Sequence, residues 1–222
     1  MNVHELLPRL PEPDVLRARC RALALLDIML AEISPRYGYQ SNWRPGVDLA
    51  TMEDGSGDQY GIVFDPAGVL LYGFCYESEA SWTRPRPHRP GLLDGLPAGL
   101  AHYPADPELQ SDGFFEATLC AWREVGASAW QCGPVVFTEG ESDGAGQLFG
   151  VLANGSAEAV SRDAEDFHGR PVDRDAVAAI LSGSPLPRWT VAALEPALDF
   201  EASAAFARKI GHPVAESAAD RR

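Results

Sequence analysis

The chain has 222 residues, with 32 acidic against 18 basic side chains and a formal charge of −14 at neutral pH. That balance argues against nucleic acid and anionic membrane surfaces, which need a concentrated cationic face, and suits solubility or a basic protein partner. The length fits one domain over residues 1–222, since no polar linker divides it. No apolar run reaches the length of a membrane helix, and the start, with Glu5 and Pro8, does not read as a secretory signal. A cytoplasmic location is therefore expected, with the four cysteines reduced. None of them stands in a C-x-x-C pair, so neither a zinc knuckle nor a thioredoxin-type site is indicated, and no cofactor is assigned.

In chain order, Leu16, Cys20, Leu23, Leu26, Leu30 and Ile33 recur at helical spacing and predict a helix over residues 13–33, packed across a sheet. Residues 36–51 mix aromatics with turn formers and read as an irregular segment or a short strand. Residues 52–58, Met-Glu-Asp-Gly-Ser-Gly-Asp, form an acidic glycine-rich loop. It leads into the best-specified stretch of the chain, two apolar runs flanking Asp65-Pro66-Ala67-Gly68. Pro at the second turn position and Gly at the fourth predict a three-residue hairpin loop with a glycine bulge. Asp65 then faces Val69, so Phe64 pairs with Leu70, Ile62 with Tyr72, Tyr60 with Phe74 and Asp58 with Tyr76. This register gathers the aromatics on one face and sets Gly61 against Gly73, bare backbone over which something packs closely.

A proline-rich segment carrying Arg84, Arg86 and Arg89 follows, expected to run extended, and the proline- and glycine-rich chain continues to about residue 107. Residues 113–125 and 128–137 predict a second hairpin, with Trp122 opposite Trp130 and Cys120 opposite Cys132, although residues 116–123 also fit a helical turn. Residues 135–138 and 147–153 suggest a third hairpin around an acidic loop at 139–143. Helices are expected from Ser156 to residue 167 and over 173–181, 188–194 and 200–210, the last stopped by Gly211 and Pro213. The order predicts an α+β fold: an N-terminal helix packed on a mainly antiparallel sheet of hairpins, with C-terminal helices.

For function, the open end of the central hairpin gathers Glu53, Asp54, Asp58 and Glu77, with Glu79 nearby. Such carboxylates can hold a hard cation or meet a cationic partner, while a solvated acidic loop is the plainer description. Gln59 stands where an EF-hand needs glycine, which excludes that motif. Trp43, Trp82, Trp122 and Trp130 could line a pocket, although aromatics in a sheet more often belong to a core or an interface, and Trp43 is counted with the carboxylates as a binding candidate. No G-x-S-x-G, H-E-x-x-H or phosphate-binding loop is present, so no catalytic residue is assigned, and the metal question stays open.

Tyr39-x-Ser41-x-Trp43, Met52-Glu53-Asp54-Gly55-Ser56-Gly57, Ile62-Val63-Phe64-x-Pro66-x-Gly68, Gly73-Phe74 and Glu77-Ser78 together resemble a group of bacterial proteins with no assigned activity. Trp122-Arg123-Glu124 and Ile210-Gly211-His212-Pro213 extend the resemblance. It transfers no chemistry. The expectation is a non-enzymatic protein that acts by binding another protein, in an immunity-type or regulatory role. The alternatives are a metal-dependent hydrolase built on the acidic cluster and a small-molecule binder using the aromatic hairpin face.

Overall fold

The structure is a computed structural model that describes residues 1–79 and 88–215. It is α+β. Five antiparallel strands, β1 (Tyr37–Arg44), β2 (Val47–Glu53), β3 (Gln59–Asp65), β4 (Gly68–Phe74) and β5 (Leu119–Glu124), lie in chain order across one sheet. Before the sheet come α1 (Val3–Leu6) and α2 (Pro13–Leu30). After it come α3 (Ala145–Asn154), α4 (Ala157–His168), α5 (Arg174–Leu181), α6 (Arg188–Leu194) and α7 (Phe200–Lys209).

The sheet is buried on both faces. Tyr60, Ile62, Phe64, Val69 and Leu71 meet the helices, while Leu49, Val63, Leu70, Cys120 and Trp122 form a second core. Leu92, Leu100, Tyr103 and Leu109, from the chain between β4 and β5, cover that second core. Double burial explains why β3 and β4 carry near-continuous apolar runs rather than a strict alternation.

The central hairpin forms, with its register one residue away from expectation. Asp65 pairs with Gly68, Phe64 with Val69, Ile62 with Leu71 and Tyr60 with Gly73, so the loop is only Pro66-Ala67. Neither loop residue has a positive φ. The loop is held instead by the Asp65 carboxylate, which accepts the Ala67 N–H at 2.7 Å and the Tyr103 hydroxyl at 2.6 Å. Because side chains alternate along a strand, the one-residue slip turns all of β4 over. Tyr72 and Phe74 thus leave the face of Tyr60 and Phe64. Gly61 and Gly73 are not opposite one another, yet each lies under a close neighbour. A Cβ on Gly61 would stand 2.3 Å from the Tyr72 hydroxyl, and one on Gly73 2.7 Å from Leu148 of α3.

Residues 37–53, expected as irregular chain or a short strand, form the β1/β2 hairpin around Pro45 and Gly46. Asp48 organises its bulge: one carboxylate oxygen accepts the Asn42 N–H, the other the Tyr39 hydroxyl and Arg21. The long helix α2 stops at Leu30, three residues short of the expected end, and Ile33 is fully exposed. The buried Asp27 carboxylate draws the chain away there, accepting the backbone N–H groups of Arg36 and Tyr37 and pairing with His168 at 2.7 Å.

The third hairpin does not form. Residues 147–153 belong to α3, which begins after Gly144 at φ +90° and presses Leu148 and Phe149 against Gly73 and Tyr60. In place of the second hairpin β5 makes a single bridge, Trp122 with Gln131, so Trp122 does not face Trp130. Cys120 lies in the second core, whereas Cys132 packs against the helix-side core, so the two thiols are not cross-strand neighbours. The four C-terminal helices match expectation, with Ser156 and Asp173 as side-chain N-caps.

Gly68, at φ +150°, has no room for a side chain: its Cβ would stand 2.4 Å from the Arg123 carbonyl oxygen of β5. Gly68→Val is expected to cost about 1–3 kcal/mol in urea melts, the scale of overpacking. Gly150, inside α3 with open space around it, is the control. Gly150→Ala should stabilise by about 0.5–1 kcal/mol.

Candidate functional site

The acidic loop is built by its own aspartates. The Asp54 carboxylate accepts the Ser56 N–H at 2.8 Å, the Ser56 hydroxyl at 2.5 Å and the Asp58 N–H at 3.1 Å. Gly55 and Gly57, at φ +78° and +112°, let the chain turn tightly enough to make these bonds. Partial burial alone would raise the Asp54 pKa. The hydrogen bonds from Ser56 and Asp58 outweigh it and hold the carboxyl below its ordinary value. Asp58 is only 4% exposed and points inward, accepting the Tyr76 N–H at 2.8 Å and the Gln147 side-chain amide at 2.7 Å. It ties the loop to the end of β4 and to α3.

Asp54 and Asp58 therefore shape the loop, while Glu53, Glu77 and Glu79 face solvent. Glu53, paired with Gln59, ends β2. Trp43 is not beside it: the β1/β2 register, with Tyr37 opposite Met52 and Arg44 opposite Val47, carries Trp43 to the far end of that hairpin. There its indole N–H donates to Glu108 at 2.8 Å, and Arg44 stacks on its ring. Among the described residues no three His, Cys, Asp or Glu side chains converge as a metal-binding group.

What the fold does assemble is a groove of about 240 Å³ on the sheet face away from the helices. Glu53, Glu108 and Glu116 line it with Thr51, Gln59, Tyr72 and Gln110. A second hollow of about 330 Å³ adjoins it, sharing Glu53, Gln59 and Glu116 and adding Asp58, Phe74 and Tyr76. Tyr72 rests against Phe115 with ring centres 4.6 Å apart. Burial, then the nearby Asp106 carboxylate, raises its pKa, so it stays a neutral hydroxyl at physiological pH. Glu108, Gln110, Glu116 and the placement of Tyr72 were not legible in the sequence. They come from a proline-rich connection without periodicity and from a strand whose facing depends on one residue of register.

The second acidic loop is fixed rather than free. Glu141 binds Arg89 and accepts the Thr138 N–H and hydroxyl, contacts that lower its pKa to about 2. Asp143, fully buried, accepts the N–H groups of Val3 and Ala145, and burial raises its pKa. Of the three arginines in the proline-rich segment, Arg89 is thus pinned to an acidic loop of its own chain. Arg84 and Arg86 lie outside the described residues, as does Trp82.

No described helix is long and apolar enough to cross a membrane. The chain matches no family model, no curated protein and no solved structure.

The lowered pKa of Asp54 sets a sign for stability against pH. Its contribution is fully present above its unfolded value of about 4 and is lost as pH falls through the lower folded value. Asp54→Ala should therefore be less stable than the parent in urea melts at pH 7, and the gap should close progressively below about pH 4.

Proposed function

We propose that this is a non-enzymatic bacterial cytoplasmic protein that binds a basic protein partner, in an immunity-type or regulatory role, through the groove over β2 and β3. The observation that supports this reading most directly is the lining of that groove. Glu53, Glu108 and Glu116 share one concave surface with neutral hydroxyl and amide groups. Carboxylates among hydrogen-bonding neutral groups suit guanidinium or ammonium side chains, and the net charge of −14 favours encounter with a cationic surface. The aromatic hairpin face offers less support for a small-molecule site, because Tyr60, Ile62 and Phe64 are buried under helices.

The test uses the tagged chain and its Glu53→Lys/Glu108→Lys variant to capture partners from native cell extract, followed by titration of the purified captured protein. The expected partner is basic. Its binding to the variant should be at least about tenfold weaker, and raising salt from about 50 to 200 mM should weaken parental binding. Equal binding by both forms would overturn the reading. Ca²⁺, Mg²⁺ and Mn²⁺ at fixed ionic strength are expected to leave the Tm unchanged. A rise abolished by Asp54→Asn/Asp58→Asn would instead favour the metal-dependent hydrolase.

A further inference from the structure

The bridge between Trp122 and Gln131 places Cys132 beside α1, next to a histidine 128 residues away in sequence. The His4 Nε2 lies 2.8 Å from the Val135 carbonyl oxygen. A carbonyl only accepts, so Nε2 carries the ring proton and Nδ1 presents a lone pair. The Cys132 Sγ stands 3.4 Å from that Nδ1. Phe137 packs edge-on against the imidazole at 5.4 Å and is itself covered by Arg89. A thiol, a base in a fixed tautomer and a group that orients the base are thus in line, the arrangement that activates a sulfur nucleophile.

The other three cysteines are buried, whereas Cys132 is half-buried and His4 is exposed. We propose that Cys132, with His4 as its base, is a thiol–disulfide exchange site that takes up a small thiol as a mixed disulfide from a low-molecular-weight disulfide. The Cys132 Sγ attacks one sulfur of the reagent, forming the new S–S bond as the old one breaks. The thiol proton passes to His4 Nδ1 and then to the departing thiolate, so the reagent leaves as one thiol bound to the protein and one released. The protein thiol is oxidised and the released sulfur reduced. Cys120, 1% exposed in the second core, is not itself open to the reagent.

The charged group acting on the thiol is Asp143, and Cys132 in turn bears on the buried Cys120. Burial, then the Asp143 charge, raises the Cys132 pKa, so free thiolate is scarce at neutral pH and the reaction depends on its base.

The experiment follows release of the coloured thiol from 5,5′-dithiobis(2-nitrobenzoate) by the folded full chain, with peptide mass mapping of the modified residue. Circular dichroism checks the fold of each variant. One fast-reacting thiol is expected at pH 7, mapping to Cys132 and absent in Cys132→Ser, with oxidised glutathione modifying the same residue. His4→Ala should slow the reaction at least about tenfold and leave only the alkaline rise in rate of an unassisted thiol. His4→Gln, which can still donate to the Val135 carbonyl but accepts no proton, should be equally slow, separating base chemistry from packing. An unchanged rate and pH profile in folded His4→Ala, or faster reaction at another cysteine, would overturn the proposal.

Discussion

A missing side chain at Gly68 governs much of this fold. Because β5 lies against the Gly68 backbone, the chain can cross from β3 to β4 in a two-residue loop, and that loop sets Asp65 against Gly68. One residue of register then decides which side chains of β4 meet the helices. Val69 and Leu71 join Ile62 and Phe64 in the first core, and Leu70 joins Val63 in the second. It also turns Tyr72 and Phe74 toward the groove and its neighbouring hollow. The candidate binding surface is therefore a consequence of the same turn that builds the core.

Much of the acidity is architectural. Asp27, Asp58 and Asp143 each accept a backbone N–H at or just beyond the end of an element, and Asp48 accepts one at the β1 bulge. An ionised carboxylate is a strong acceptor, and for Val3 and Tyr37 these bonds satisfy donors that would otherwise be buried without partners. Removing such a group costs more than its contacts suggest, because the donors left behind stay desolvated. The exposed carboxylates are another population. Glu53 and Glu108 belong to it, and the proposed recognition of a basic partner rests on this second set with Glu116.

The paired Cys132 and His4 show how a reactive arrangement can arise without a motif. Neither residue has a chemical neighbour in sequence. One comes from the first helical turn, the other from the chain after β5, and their meeting depends on a single strand bridge.

By itself the sequence determined α2, the four C-terminal helices and the general class of the fold. Apolar spacing and N-caps such as Ser156 and Asp173 act over a few residues, so α2 and the C-terminal helices are legible locally. Pro66 and Gly68 likewise mark the central turn. Tertiary structure decided what depends on distant partners. Tyr103 and β5 select the hairpin register, Asp27 ends α2 early, and packing on Gly73 and Tyr60 makes residues 147–153 a helix instead of a strand. The site followed the same division. Glu53, Asp54, Asp58 and Glu77 could be named from their loop, but which carboxylates turn inward, and that Glu108 and Glu116 join Glu53, is set by long-range hydrogen bonds and strand facing that no local pattern encodes.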